Sequence, residues 1–171
     1  MTRLRIDVDG LAFCFPDGWT ASKYDEWSFY RSGFSRMWPG IKALDLLAID
    51  REKTAWLIEV KDYRHAARTK PSALGDEVAR KVFDTLAALP PARVNANDET
   101  ERLVARHMLG AKRYRIVLHL EQPEKHSRLR PRAINPADIQ QKLKQLLKPI
   151  DARPLVVEAA GMRGLPWQAC R

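Results

Sequence analysis

The stretch ALDLLAIDREKTAWLIEVKDY, residues 43–63, is the part of the sequence that decides the fold. Residues 43–50 and 54–63 are two runs rich in apolar and β-branched side chains, and each run predicts a β-strand. The three residues between them are enough for a hairpin turn. Because side chains alternate between the two faces of a strand, runs that are apolar on both faces predict a buried pair of strands.

The predicted hairpin sets the positions of two carboxylates. With a three-residue turn, Asp50 faces Thr54, and counting outward places Asp45 opposite Glu59. Directly opposed Cβ atoms on neighbouring strands are about 4.5–5.5 Å apart. Two carboxylates at that distance among apolar side chains repel each other, which raises a pKa or recruits a cation. A divalent cation with oxygen ligands would satisfy both carboxylates, and Lys61 lies one step further along the same face.

An alternative for the second strand is an exposed edge, where charged side chains discourage aggregation. On the first strand, Leu44, Leu46, Leu47 and Ile49 leave little room for a solvated face. A buried acid needs a partner or a metal ion. The pattern therefore favours a metal site over an exposed edge.

Elsewhere the sequence predicts helices that alternate with strands. The predicted elements are a hairpin over 3–15 around Asp9-Gly10, a short helix over 22–30 that Ser22 and Asp25 cap, a helix that Pro71-Ser72 opens and Pro90-Pro91 ends, a helix between the Asp98 cap and Gly110, a strand over 113–120, a helix that begins at Asn135-Pro136 and ends at Pro149, and a strand over 154–159. This order predicts an α/β (α+β) fold with a mixed central β-sheet flanked by helices. One domain, residues 1–171, accounts for the length.

The charge distribution points to a polyanionic partner. The 30 Lys and Arg side chains outnumber the 21 Asp and Glu side chains, which gives a formal net charge of +9. Residues 1–62 carry 9 bases and 10 acids, whereas residues 63–171 carry 21 bases and 11 acids. A basic excess gathered in one part of a chain is typical of proteins that bind nucleic acid.

Composition excludes several other classes of protein. Two cysteines, Cys14 and Cys170, cannot build a disulfide framework or a four-thiolate zinc site. No apolar run approaches the ~20 residues that span a bilayer. The first residues lack the apolar core of a signal peptide. We therefore expect a cytoplasmic protein that does not contact a membrane.

At Asp45 and at Glu59-Val60-Lys61, fourteen residues further on, the sequence resembles the PD-(D/E)XK nuclease superfamily. The signature of that family is an Asp on one strand and an acid-x-Lys on the next. The resemblance covers about residues 22–90 and implies a restriction-endonuclease-like core of helix, strand, strand and helix. The proline that names the motif is absent, since Leu44 precedes Asp45. No Gln-x-x-x-Tyr follows, so the chain departs from the exonuclease-like branch of the family.

The resemblance implies a role for each matching residue. Asp45 and Glu59 would bind Mg²⁺ or Mn²⁺, the expected cofactor, together with the backbone carbonyl of Val60. Lys61 would orient or deprotonate the attacking water and stabilise charge on the phosphate. Asp45, Glu59 and Lys61 are thus the expected catalytic residues. Many members carry a further acid on the preceding helix, and Glu26 would be that metal ligand here.

Together these features predict a metal-dependent nuclease that hydrolyses phosphodiester bonds, with DNA as the expected nucleic acid. Whether Glu26 or its neighbour Asp25 joins the site stays open. The alternative is a non-catalytic nucleic-acid-binding or partner-docking subunit on the same fold, for instance in a restriction or phage-defence assembly. For a chain this short we expect a homodimer or a larger defence or repair complex.

Three groups of basic residues are the predicted contacts to nucleic acid. One group follows the motif strand at the mouth of the site, one precedes and opens the strand over 113–120, and one falls in a segment that Pro131 marks as a loop. These residues are Arg64, Arg68, Lys70, Lys112, Arg113, Arg128, Arg130 and Arg132.

Overall fold

The central hairpin of the sequence forms the middle of a five-stranded sheet. The computed structural model of the protein describes residues 4–69, 73–123 and 134–171. Its strands are β1 (Leu4–Val8), β2 (Leu11–Phe15), β3 (Thr20–Lys23), β4 (Leu46–Ile49), β5 (Thr54–Asp62), β6 (Arg113–Glu121), β7 (Leu155–Val157) and β8 (Gln168–Cys170). Its helices are α1 (Ser28–Ser32), α2 (Leu74–Asn95), α3 (Glu99–Leu109) and α4 (Pro136–Leu147), with 3₁₀ turns over Tyr24–Glu26 and Phe34–Arg36.

The strands form two sheets. The larger sheet has the order β3-β4-β5-β6-β7, with antiparallel pairing from β3 to β5 and parallel pairing from β5 to β7. The smaller sheet has the order β1-β2-β8 and is antiparallel throughout. A mixed sheet flanked by helices confirms the predicted α/β (α+β) fold class. A restriction-endonuclease-like core within that class stays a prediction.

The predicted register of the β4–β5 hairpin is confirmed. Leu46 lies opposite Ile58, so one step outward places Asp45 opposite Glu59. Lys53 adopts a φ of 63° in the turn, which helps the two strands reverse direction within three residues. All residues of β5 except the last two are buried. The strand is therefore inside the sheet and is not an exposed edge.

Apolar side chains pack on both faces of the larger sheet. On one face, Leu57 and Leu118 contact the apolar sides of α2, α3 and α4. On the other face, Trp56 and Ile58 pack with Phe13 and other side chains of the smaller sheet. A sheet that is covered on both faces needs strands that are apolar on both sides, and this is why the central hairpin has so few polar residues.

The predicted helix over 22–30 is wrong at its start. Ser22 belongs to β3, and its hydroxyl accepts a hydrogen bond from Trp27 Nε1 at 2.7 Å instead of capping a helix. The helix α1 begins only at Ser28, whose backbone N donates to Glu101 Oε1 at 2.6 Å. A carboxylate from α3 thus caps α1, and this contact joins two segments that are distant in the sequence.

Helix α2 continues through Pro90 and Pro91, where the sequence predicts its end. A proline inside a helix removes one N–H donor and crowds the preceding turn. Leu89 and Ala92, on either side of the pair, are fully buried in the core. Burial of apolar surface on both sides therefore outweighs the cost of the two prolines. The predicted opening of this helix, residues 71–72, lies outside the described residues.

The sequence predicts the starts of α3 and α4 correctly. It does not predict the two short strands β3 and β8. Asp98 caps α3 by accepting from Thr100 N at 2.7 Å. Asn135 caps α4 by accepting from Ala137 N at 3.1 Å. Among the described residues, no helix is both long and apolar enough to cross a membrane.

Replacing Pro90 by alanine should stabilise the protein. The position is exposed, and the change restores a helix N–H and removes the ring from the preceding turn. We expect the free energy of unfolding, measured by urea denaturation, to rise by about 1–3 kcal/mol. The control, Arg93→Ala at an exposed position later in α2, should change it by less than about 0.5 kcal/mol. A less stable Pro90→Ala variant would contradict this interpretation of the helix.

Candidate functional site

The predicted carboxylates Asp45 and Glu59 lie together at one end of the central hairpin. Asp45 directly precedes β4, and its Oδ2 accepts a hydrogen bond from Val60 N at 2.7 Å. Glu59 has no exposed surface. Its Oε1 lies 3.0 Å from Lys61 Nζ and 2.5 Å from Lys81 Nζ of α2. The structure thus brings Asp45, Glu59 and Lys61 together as predicted, and it adds a second ammonium group.

A third carboxylate, Glu77 of α2, extends the network. Its Oε1 lies 3.0 Å from Lys61 Nζ, and its Oε2 lies 2.7 Å from Arg68 Nη2. Arg68 also donates from Nη1 to Tyr63 Oη at 3.0 Å. A cavity of about 310 Å³ opens beside these groups. We call the five charged side chains the ion cluster: Glu59, Lys61, Arg68, Glu77 and Lys81.

Burial in the sheet and the nearby carboxylate of Asp45 raise the pKa of Glu59 to about 7. The two lysines act in the opposite direction but do not cancel this effect. The second oxygen of Glu59, Oε2, is buried and has no hydrogen-bond partner among the described residues, which makes ionisation costlier. Burial also opposes the charge of Lys61, but Glu59 and Glu77 outweigh it and raise the pKa of Lys61.

Of the two acids considered for the site, Asp25 is the one whose charge interacts with it. Burial, and then the carboxylate of Asp45, raise the pKa of Asp25, and its Oδ1 is a buried atom without a partner in the described part of the chain. Glu26 is half exposed and forms an ion pair with Lys23 at 2.8 Å. The position of Glu26 therefore gives no support to its predicted role as a metal ligand.

One carboxylate oxygen of Glu59 is already shared by two cations, whereas the other, Oε2, has no hydrogen-bond partner among the described residues. Lys61 and Lys81 both contact Oε1 of Glu59. Within residues 4–69, 73–123 and 134–171, no group of three or more His, Cys, Asp or Glu side chains could hold a metal ion. Binding of Mg²⁺ or Mn²⁺ by Asp45, Glu59 and Val60 stays a prediction.

The sequence analysis misses two members of the ion cluster, Glu77 and Lys81. They lie four residues apart on α2, at the border of the apolar stripe that contains Val78 and Val82. A Glu–Lys pair at this spacing is typical of an exposed helix surface. The sequence feature that could have identified them is their position beside the apolar stripe, because a charged side chain at that border faces the edge of the core.

Of the predicted contacts to nucleic acid, one lines the cavity of this site and others lie elsewhere. Arg64 forms an ion pair with Asp62 at the end of β5, and Arg68 belongs to the ion cluster. Lys112 and Arg113 lie at the start of the strand beside β5, roughly 16 Å along the sheet from Glu59. The two residues therefore lie apart from Glu59, and their contact with nucleic acid stays a prediction. The other predicted contacts lie outside the described residues: Lys70, Arg128, Arg130 and Arg132.

A cationic groove runs along the outer face of α4. Its cavity volume is about 690 Å³, and none of the described residues that line it carries a carboxylate. Arg163 enters from the loop between β7 and β8, and its Nη1 donates to Gln140 Oε1 at 2.7 Å. We call this surface the α4 groove, defined by Ala137, Gln140, Gln141, Lys144, Gln145, Lys148 and Arg163.

The chain is similar to a cysteine–tRNA ligase from Neisseria meningitidis serogroup A / serotype 4A. The two sequences are 28% identical over 198 aligned positions, which cover 92% of this chain and 28% of the ligase. The chain therefore spans little more than a quarter of the length of this relative. No family model and no solved structure matches the chain.

This similarity overturns the predicted activity. The relative is an enzyme of a different kind from a nuclease, namely a tRNA ligase. The interpretation of the chain as a metal-dependent nuclease that hydrolyses DNA is therefore wrong. The physical reason is that an acid-x-Lys pattern also suits a structural ion pair, here between Glu59 and Lys61. Membership of the PD-(D/E)XK superfamily and the binding of nucleic acid stay predictions.

Replacing Glu59 by glutamine should remove a pH dependence of stability. The pKa of Glu59 is raised from 4.5 to about 7 in the folded protein. The folded state therefore holds a proton that the unfolded chain releases as the pH rises through this window. The wild type should lose up to about 3 kcal/mol of unfolding free energy between these two pH values. Urea denaturation across the window should show a shallower slope for Glu59→Gln.

The matched control is Glu26→Gln. The ion pair with Lys23 lowers the pKa of Glu26, so this carboxylate titrates below the window and its variant should keep the wild-type slope. Identical slopes for Glu59→Gln and the wild type would contradict the raised pKa of Glu59.

Proposed function

We propose that the chain is a tRNA-binding unit with an aminoacyl-tRNA-synthetase-related function. The observation that carries this proposal is the similarity to a cysteine–tRNA ligase, which extends over 92% of the chain. Because the chain spans 28% of that ligase, we assign to it contact with tRNA and not the complete ligation reaction.

The charge of the chain supports an RNA partner. A net charge of +9 attracts phosphates, and release of their counterions drives association. Most of the cluster around Glu59 is neutralised internally, because its cations pair with its own acids. The α4 groove differs, since its described lining carries three cations and no carboxylate. Within the described part of the chain, it is therefore the surface best suited to phosphates.

The two faces of α4 explain how the groove forms. Leu143 and Leu147 are fully buried in the core. Lys144 and Lys148 directly follow these leucines at exposed positions one turn apart, and both line the groove. Two ammonium groups at this spacing can contact a phosphate backbone, and the neighbouring glutamine amides can bond phosphate or ribose 2′-hydroxyl groups.

A strained turn supplies the third cation of the groove. Leu165 N donates to Met162 O at 3.0 Å, and the two residues between them, Arg163 and Gly164, have φ values of 50° and 74°. Both central residues with positive φ define a type I′ turn. The left-handed conformation costs a non-glycine residue about 1–2 kcal/mol, so the fold holds Arg163 here against a local penalty.

A purely structural explanation accounts for only part of the groove. Lysines near the end of a helix interact favourably with its dipole, and this covers Lys144 and Lys148. It does not cover Arg163, which comes from another segment and points its Nη1 at Gln140 of α4. Cations that converge from separate segments favour a bound polyanion.

Binding of a fluorescently labelled tRNA transcript tests the proposed function. We expect an affinity that falls steeply as salt increases, because phosphate contacts dominate the binding. Fluorescence anisotropy over a salt series measures it, with an unlabelled duplex DNA of equal length as competitor. Failure to bind tRNA at low salt would overturn the proposal.

Neutralising the α4 groove should weaken tRNA binding and flatten its salt dependence. The triple variant Lys144→Gln/Lys148→Gln/Arg163→Gln removes three phosphate contacts. The slope of log affinity against log salt should therefore decrease by about 2–3, since each contact contributes about 0.7–0.9. The melting temperature should stay near that of the wild type, because the substituted side chains lie at the surface.

The charge-matched control is Arg93→Gln/Arg106→Gln/Lys112→Gln. It removes three exposed cations that lie outside the α4 groove, and one of them, Lys112, is a predicted contact with nucleic acid. It should retain most of the wild-type slope. An equal loss of slope in both triple variants would show that tRNA senses only net charge and would contradict the assignment to the α4 groove.

A further inference from the structure

Trp38 and Met37 are exposed on the loop that joins α1 to β4. Their exposed fractions are 70% and 71%, whereas Trp27, Trp56 and Trp167 are buried. Large aromatic side chains are seldom left in water, and an exposed one next to another apolar side chain is typical of a contact surface. Neither residue has a part in the ion cluster or the α4 groove.

A defined turn presents Trp38 to solvent. Ile41 N approaches Trp38 O at 3.5 Å, and Gly40 between them has a φ of 82°. Pro39 at the second position and a glycine with positive φ at the third are the features of a type II β-turn. Because proline fixes its own φ, the turn loses little conformational entropy when a ligand binds.

The core holds this turn from both sides. On one side, Tyr30 Oη donates to Ile41 O at 3.3 Å. On the other, Phe34 is buried and stacks on Phe29 with ring centroids 6.1 Å apart, and Met37 N donates to Phe34 O at 3.2 Å. The exposure of the neighbouring tryptophan is therefore a property of an anchored turn.

The charges around the turn favour a polyanion. Residues 27–44 contain no Asp or Glu, and their three cations are Arg31, Arg36 and Lys42. Asp84 of α2 contacts this segment through Lys42 N at 2.8 Å, but Arg80 already pairs with it at 2.9 Å. Arg31 interacts with the carboxylates of Asp25 and Glu26, which leaves Arg36 and Lys42. An aromatic ring beside two cations suits the two parts of a nucleotide, a flat base and a phosphate.

We propose that Trp38 stacks on an unpaired base of the bound RNA while Arg36 and Lys42 contact the adjoining phosphates. The proposal rests on the proposed tRNA binding and adds the kind of nucleotide that this surface selects. A base inside a duplex is covered on both faces by its neighbours, whereas an unpaired base offers a face to an aromatic side chain. Trp38 therefore distinguishes unpaired from paired RNA.

The test compares Trp38→Ala, Trp38→Phe and the control Val94→Ala, which changes an apolar residue of α2 with an exposed fraction of 73%. The probes are a short labelled single-stranded RNA and an RNA duplex of the same length, measured by fluorescence anisotropy. Trp38→Ala should bind the single strand about fivefold more weakly or worse. Trp38→Phe should retain most of this affinity, and Val94→Ala should match the wild type.

Two further readouts separate stacking from a general loss of binding. Trp38→Ala should leave duplex binding and the salt slope unchanged, because stacking involves no phosphate contact. The single strand should quench tryptophan fluorescence in the wild type more than in Trp38→Phe. Equal affinity of Trp38→Ala and wild type for the single strand, or an equal loss on the duplex, would overturn the proposal while tRNA binding stands.

The competing occupant is a protein surface. If the wild type forms a dimer in analytical ultracentrifugation and Trp38→Ala is monomeric with unchanged RNA affinity, Trp38 serves protein association and the stacking proposal is wrong. If the wild type binds neither tRNA nor the single strand, the proposed function fails and the role of Trp38 fails with it.

Discussion

Glu59 is a carboxylate with no exposed surface, and its contacts with the ammonium groups of Lys61 and Lys81 join β5 to α2. An unpaired charge in this position would cost several kcal/mol, roughly the margin by which a small domain is stable. Lys61 lies on the same strand, but Lys81 must come from the helix. The ion cluster therefore fixes how α2 is rotated and where it lies along β5, beyond what apolar packing alone requires.

The hairpin could be predicted from the sequence because its register follows from local rules. A turn of three residues and the alternation of side chains suffice to place Asp45 opposite Glu59, and the structure agrees. The caps at Asp98 and Asn135 are also local, since each side chain bonds a backbone N–H two residues away. Features of this kind need no knowledge of the rest of the chain.

The remaining features depend on contacts between distant segments, and the sequence analysis failed there. The partner of Glu59 on α2 and the cap that Glu101 supplies to α1 are both visible only in three dimensions. Pro90 does not end α2, because the burial of apolar side chains on either side of it outweighs the cost of a proline inside a helix. The acid-x-Lys pattern has the same weakness, because a short motif specifies two side chains on a strand and says nothing about the groups that surround them.

The smaller sheet has a consequence for the order in which the protein folds. β2 pairs with β1, its neighbour in sequence, and also with β8, which is synthesised far later. Trp56 of the larger sheet packs edge-to-face on Trp167, with ring centroids 4.9 Å apart. Trp56 therefore stays partly uncovered until the segment that contains Trp167 has been synthesised. Such non-local pairing forms slowly. On the ribosome, one apolar face of the central sheet therefore stays open to chaperones, or to other nascent chains, after the helical side can close.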